Sequence, residues 1–201
     1  MKRRAAAAFG RSRMNLAHAL VCSSGWWART AEHKLLPWGL ADVDLGDEVL
    51  EVGPGFGATT RVLARRSGSL TVVELSEGYC ERLGRTLGDD VQVVHADATA
   101  MPFTDNRFSG VACFTMLHHV PSREQQDRLL AEVNRVLRPG GEFAGTDSVG
   151  TGRAFKLLHV RDTLVPVAPE ELPARLERAG LIEPRVETAG SSFRFRARKP
   201  V

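Results

Sequence analysis

The sequence predicts an α/β domain, a mostly parallel sheet covered by helices on both faces, and three observations carry that expectation. Short apolar runs of strand length alternate with helical stretches, which is the pattern of βαβ units. Two runs, Val49 to Val52 and Gly110 to Leu117, are almost wholly apolar, as strands buried on both faces are. The chain has 201 residues, enough for one such domain and too few for two ordinary ones.

The elements follow in order. Leu16 to Leu40 is helical in outline and carries Trp26, Trp27, Leu35, Leu36 and Trp38, with a break expected at Pro37. After the polar turn Asp42 to Asp47, Val49-Leu50-Glu51-Val52 reads as the first strand, ended by Gly53-Pro54-Gly55-Phe56-Gly57. A helix follows with Thr59, Val62, Leu63 and Arg66 at helical spacing. Leu70 to Glu74 is a second strand, and Glu77 to Leu87 a helix stopped by Gly88. Val91 to His95 and Gly110 to Thr115 are the third and fourth strands. Ser122 opens a helix expected to run to Leu137, where Pro139-Gly140-Gly141 breaks it before a fifth strand, Glu142 to Thr146. Glu170 to Ala179 is a last helix, closed by Gly180. Leu181 to Glu187 and Phe193 to Ala197 are the final strands.

Composition narrows the function classes. Hydrophobic residues make up 43% and charged residues 25%, ordinary for a globular chain. No apolar run approaches the roughly 18 residues of a membrane span. The net charge of +3 is unevenly placed. Lys2, Arg3, Arg4, Arg11 and Arg13 crowd one end; Arg194, Arg196, Arg198 and Lys199 crowd the other. Without these nine cations, 18 remain against 24 acids, about −6, so the body is not a nucleic-acid groove. Residues 1–14 are expected to be a disordered basic tail, although an Arg-rich, acid-free start also fits a transit peptide. Cys22, Cys80 and Cys113 are odd in number and lack CxxC spacing, which points to a reducing, cytoplasmic setting without structural zinc. No His, Cys, Asp and Glu spacing suggests a metal site.

In open α/β sheets a ligand lies at the carboxyl ends of the strands, near the point where strand order reverses. The residues just after each strand are therefore the candidates. The glycine loop after the first strand allows a tight turn and close approach of a ligand to backbone N–H groups. Read as Gly53-x-Gly55-x-x-Ala58 it also fits a dinucleotide fingerprint, and Glu74, 21 residues on, can accept two ribose hydroxyls under either reading. Three further features separate the readings: Glu51 before the loop, Asp97 after the third strand, and Leu137-Arg138-Pro139-Gly140-Gly141 before the fifth.

Together, Glu51-Val52-Gly53-Pro54-Gly55-Phe56-Gly57, Glu74, Asp97 and the Leu137 to Gly141 motif resemble the class I S-adenosylmethionine (SAM)-dependent methyltransferases, especially the small ubiquinone-biosynthesis type. The resemblance covers Leu45 to Thr146 well and the rest thinly. It implies a Rossmann-like three-layer sandwich whose seven-stranded sheet is parallel except for the last strand, here Phe193 to Ala197. Residues 15–201 would form one domain, with 15–44 a helical lid. It implies further that Gly53, Gly55 and Gly57 wrap the methionine part of SAM, and that Glu51 steadies the loop or the SAM amino group. Glu74, with Leu75 beside it, would hold the ribose; Asp97, with Ala98 beside it, the adenine. Phe114 and Thr115 would pass the sulfonium.

The acceptor side is less legible. His118 and His119 in Leu117-His118-His119-Val120-Pro121 either face the pocket as acid–base groups or tie down the turn. Asp147 follows the fifth strand. His159 and Asp162, three apart, could orient an acceptor or pair with each other. Asn15, His18, Cys22, Trp26 and Trp27 could cap the site, with Trp26 against the acceptor. The expected activity is methyl transfer from SAM to a small-molecule acceptor by SN2 displacement, leaving S-adenosylhomocysteine (SAH), with the acceptor and the oligomeric state open. The rivals are a nicotinamide-dependent oxidoreductase and a SAM-binding regulator without catalysis. The first lacks a Tyr-x-x-x-Lys pair, since the one tyrosine, Tyr79, has Leu83 four residues on. A nucleic-acid methyltransferase would carry Asn-Pro-Pro-Tyr or Asp-Pro-Pro-Tyr where Thr115-Met116-Leu117-His118 stands.

Overall fold

The computed structural model describes residues 15–150, 152, 160 and 162–201. The expected disordered tail, residues 1–14, and the candidate His159 lie outside them. The seven strands are β1 (Glu48–Val52), β2 (Ser69–Glu74), β3 (Val91–His95), β4 (Phe108–Phe114), β5 (Leu137–Ser148), β6 (Ile182–Ala189) and β7 (Ser192–Arg198). They form one sheet in the order β3-β2-β1-β4-β5-β7-β6. Strands β1 to β5 pair in parallel; β7 runs antiparallel between β5 and β6. The order reverses at β1, which has β2 on one side and β4 on the other. The pocket expected of this topology opens between the carboxyl ends of β1 and β4.

Side-chain alternation explains the two cores. Leu50 and Val52 of β1 and Val111 and Cys113 of β4 point to one face. They pack under α6 (Arg123–Val136) and α7 (Leu172–Arg178) through Leu129, Leu130, Val133, Leu172 and Leu176. Val49, Val72 and Ala112 point to the other face, against Val62 and Leu63 of α4 (Thr60–Ala64) and Leu83 of α5 (Glu77–Leu87). Ser122 caps α6 by accepting from the Gln125 N–H at 3.2 Å. Replacing it with Ala leaves that N–H unpaired. Ser122→Ala is expected to cost about 1 kcal/mol, read as a lower urea midpoint with an unchanged slope.

Two boundary expectations are corrected. Pro37 does not break the N-terminal helix. The chain turns at Ser23 and Ser24, between α1 (Leu16–Cys22) and α2 (Gly25–Thr30), then winds without interruption through a π-helical stretch (Ala31–Leu35) into α3 (Leu36–Gly39). Proline offers no N–H and its ring crowds the preceding turn; the wider π register directly before it absorbs both effects. Likewise Pro139-Gly140-Gly141 lies within β5, which starts at Leu137 directly after α6. The register to β4 slips between Phe108 and Gly110, and Gly140 takes φ 77°. The glycines thus shape a bulge, with Gly140 donating to Lys199 O at 3.0 Å.

Candidate functional site

The glycine loop joins β1 to α4 at the reversal of strand order. Gly53, Gly55 and Gly57 all have positive φ, at 65°, 54° and 77°, a region where a Cβ is strained. The surroundings differ along the loop. A Cβ on Gly53 would meet Met116 Cγ at 2.2 Å, and one on Gly57 would meet Leu83 at 2.7 Å, whereas one on Gly55 would meet nothing within 4 Å among the described residues. The loop is therefore pinned at its ends and open at its centre.

Two carboxylates flank it. Glu74, at the end of β2, accepts the Gly55 N–H at 3.1 Å and the Ser76 N–H at 2.8 Å. It is 8% exposed, and burial pushes its carboxyl up while those N–H groups oppose the shift. The Leu75 N–H bonds it too, and a carboxylate has about four lone-pair sites, so acceptor capacity remains for a ligand. Glu51, at the end of β1, accepts from the Thr59 hydroxyl through one oxygen, while its other oxygen is buried with no hydrogen-bond partner among the described residues. Desolvation raises its carboxyl to about 7, further raised by Glu74 and opposed by Thr59 and Thr60. The roles of Thr59 and Thr60 were not anticipated from the sequence; polar residues at buried helical positions beside a carboxylate were the available signal.

The other cofactor-side candidates are distributed around the same end of the sheet. Half-buried Leu75 follows β2, and its carbonyl contacts His95 Nε2 at 2.9 Å. Asp97 follows β3 and accepts the Thr99 N–H at 2.8 Å; Ala98 packs against the core. Phe114 is buried at the end of β4, and Thr115 takes φ 49° while donating its N–H to Thr146 O at 2.7 Å. Met116, which fills the space over Gly53, had no signal in the sequence.

Of the residues expected to border an acceptor, His118 and Asp147 are brought together. Asp147 Oδ1 contacts His118 Nδ1, and Oδ2 accepts the His118 backbone N–H at 3.1 Å. Both are almost fully buried. His119 sets Nδ1 against Thr163 O at 3.2 Å, and its ring lies 4.2 Å from His118 and 5.4 Å from His18 of α1. His18 Nδ1 contacts Asp162 Oδ2 at 2.9 Å, and the Asn15 N–H also reaches Asp162. Asp162 thus pairs with the N-terminal helix. Trp26 is 63% exposed and packs beside Trp27, with ring centroids 6.5 Å apart. Among the described residues no group of three or more His, Cys, Asp or Glu could hold a metal ion, and no helix is long and apolar enough to cross a membrane.

Comparison with known proteins agrees with this geometry. Residues 50–145 match the family model described as a methyltransferase domain. The chain is 32% identical over 158 residues to the methyltransferase GfsG of Streptomyces halstedii, covering 70% of this chain and 54% of that protein. It is 39% identical over 101 residues to the demethylmenaquinone methyltransferase of Clavibacter sepedonicus, covering 49% and 40%. It is 41% identical over 113 residues to the fatty-acid O-methyltransferase of Mycolicibacterium smegmatis, covering 54% and 39%. The chain thus spans about half the length of these relatives or less. Among solved structures, a SAM-dependent methyltransferase from Aquifex aeolicus superposes with a TM-score of 0.72 at 19% identity, covering 92% of this chain and 99% of that one. Phosphoethanolamine N-methyltransferase 2 of Haemonchus contortus, solved with S-adenosyl-L-methionine, also gives 0.72 at 19% identity, covering 92% and 56%. The match places residues 50–145 in the methyltransferase-domain family, and the sheet with β7 inserted antiparallel gives the chain the fold of the SAM-dependent methyltransferases among the solved structures.

Proposed function

We propose that this chain binds SAM along the glycine loop and transfers its methyl group to a small-molecule acceptor. The observation that carries the reading is the loop between its two acids: open space at Gly55, an unpartnered buried oxygen on Glu51, and lone pairs to spare on Glu74. An ammonium group would satisfy the Glu51 oxygen, and a ribose diol would satisfy Glu74. Gly53, Gly55 and Gly57 would hold the methionine part. Asp97 would accept from the adenine amine, with Leu75 and Ala98 beside the base, and Phe114 and Thr115 would border the sulfur. SAM, once bound, supplies a methyl group already activated by its sulfonium and open to in-line SN2 attack.

The chain's own work is then positioning and the exclusion of water. His118, His119, Asp147 and Asp162 border the acceptor side; His159 and Trp26 are the remaining candidates there. A small-molecule acceptor agrees with the relatives, whose names include a demethylmenaquinone and a fatty-acid methyltransferase.

Calorimetric titration tests the reading. SAM and SAH should bind and NAD and NADP should not, and Glu74→Gln should weaken SAH binding about tenfold or more, an effect of roughly 1.4 kcal/mol. Tight nicotinamide binding without SAH binding would favour an oxidoreductase and sink the proposal. SAH binding with no SAM turnover against any metabolite mixture would favour a regulator.

A further inference from the structure

Strands β6 and β7 border a hollow that the glycine loop does not reach. Side-chain alternation puts Val186, Phe193, Phe195 and Ala197 against the core on one face, and Arg185, Glu187, Arg194, Arg196 and Arg198 on the other. The N-terminal segment covers that second face only in part. Helix α3 ends at Gly39, and residues 41–43 lie beside β7. Between them and the strands is a hollow of about 350 Å3, whose polar lining is Asp42, Arg185, Glu187, Arg194 and Arg196. The charges there are unevenly matched. Arg194 lies directly across from Glu187, donates to its carboxylate at 2.6 and 3.0 Å, and donates to Trp38 O at 3.1 Å. Arg198 has Glu142 and Glu183 at 3.9 Å each. Arg185 and Arg196 also lie directly across from each other, and neither has an acid partner among the described residues; Arg196 donates to Asp42 O at 2.7 Å. Facing residues of an antiparallel pair have Cβ atoms about 5 Å apart, and like charges there repel. The sheet thus holds two cations against each other at the wall of a hollow, where an anion would turn repulsion into attraction.

We propose that this hollow is a second ligand site and that it takes a sugar phosphate, with the phosphate on Arg185 and Arg196 and the sugar hydroxyls toward Asp42 and Glu187. A guanidinium has five N–H donors in a planar fork that matches a pair of phosphate oxygens. Arg196 spends one on Asp42 O, which also fixes its position. The two acids select the rest of the ligand. Carboxylates accept and do not donate, so they suit hydroxyl groups and repel a bare polyanion. Arg194 already neutralises Glu187, which favours a neutral hydroxyl there over an ammonium. Three cations against two acids leave the lining at +1, suited to a ligand of net negative charge. The volume falls at the small end of ligand pockets, roughly 300 to 1,000 Å3. The site is separate from the cofactor site. Strands β7 and β6 are the third and fourth from β1, roughly 14 and 19 Å away at about 4.8 Å per strand. No residue of the glycine loop lines the hollow. The proposal therefore stands independently of the SAM-dependent transfer proposed above.

The test is an NMR titration of the 15N-labelled full chain with glucose 6-phosphate, fructose 6-phosphate and ribose 5-phosphate, and with orthophosphate, sulfate and glucose as controls. At least one sugar phosphate should bind about ten times tighter than orthophosphate or better, shifting amides of residues 41–43, 185–187 and 194–196, while glucose shifts none. Arg185→Gln should weaken that binding about tenfold or more, as the loss of a charge-assisted contact does. Asp42→Asn should weaken the sugar phosphate and leave orthophosphate unchanged. Arg185 and Asp42 are exposed, so both variants should fold, and both should bind SAH as the parent does. The empty protein gives a second reading. Arg185→Glu sets an acid across from Arg196, so it should raise the urea midpoint while abolishing sugar-phosphate binding. Sulfate or orthophosphate binding as tightly as every sugar phosphate marks a patch for adventitious ions only and overturns the proposal. So does the absence of binding by all three sugar phosphates, binding unchanged in Arg185→Gln, or competition between a sugar phosphate and SAH. Failure of SAH to bind the parent chain counts against the cofactor reading alone.

Discussion

Glu51→Gln is expected to make the ligand-free protein more stable at pH 8 while weakening SAM and SAH binding about tenfold or more. The cause is one buried carboxyl. Desolvation holds Glu51 at about 7, above its ordinary 4.5. Between those values the folded chain keeps a proton that the unfolded chain has lost, so stability falls as pH rises through the window. The cost is fully present above about pH 7. A rise of this size corresponds to roughly 3 kcal/mol, as an order of magnitude. Glutamine never ionises, so the gain should be largest at pH 8 and gone near pH 4.5. It still accepts from Thr59, but offers nothing to an ammonium group where Glu51 has its unpartnered oxygen. The same logic predicts proton release when SAH binds to the unmodified protein at pH 6, visible as binding heats that change with the ionisation enthalpy of the buffer. Urea melts at pH 5 and 8 check the first part. A variant less stable at pH 8, or one that binds SAH as well as the parent, rejects the role given to Glu51.

Gly145→Ala is expected to prevent stable folding, with a loss of about 4 kcal/mol or more. A Cβ there would fall 1.7 Å from the Cys113 carbonyl oxygen and 3.0 Å from the Phe195 ring. Backbone cannot move aside as a side chain can, and β4 and β5 pair directly at Cys113 and Gly145. The site depends on that close approach. One residue on, Phe114 pairs with Thr146; then Thr115 donates to Thr146 O, and Asp147 reaches His118. A shift between the two strands would therefore separate the acid from the imidazole. The urea midpoint of Gly145→Ala against the parent measures this, and a loss under about 1 kcal/mol would show that the strands can part. Gly55→Ala is the contrast: its Cβ would meet open space, so the cost there is only the strain of φ 54°.

The elements with strong local signals were legible from the residues. Strand β3 and helix α5 lie where their apolar runs and the Gly88 stop put them. Pro37 and Pro139-Gly140-Gly141 misled because proline and glycine report a backbone restriction, not which neighbour absorbs it. A π turn absorbs the first and a β-bulge the second. His159, which three-residue spacing set beside Asp162 as a pair or as acceptor-orienting groups, lies outside the described residues. Asp162 meets His18 and Asn15, 144 and 147 residues away, a distance over which local spacing carries no information.

The sequence by itself determined the βα alternation, the glycine loop and the acids at the strand ends, because these depend on local backbone freedom and on periods of two and 3.6 residues. Only the tertiary structure decided what those acids do. It left one Glu51 oxygen buried without a partner among the described residues, turned Glu74 onto the Gly55 N–H, and laid Asp147 against His118. Such effects arise from desolvation and from contacts between strands far apart in the chain, and a carboxylate has neither until the sheet has formed.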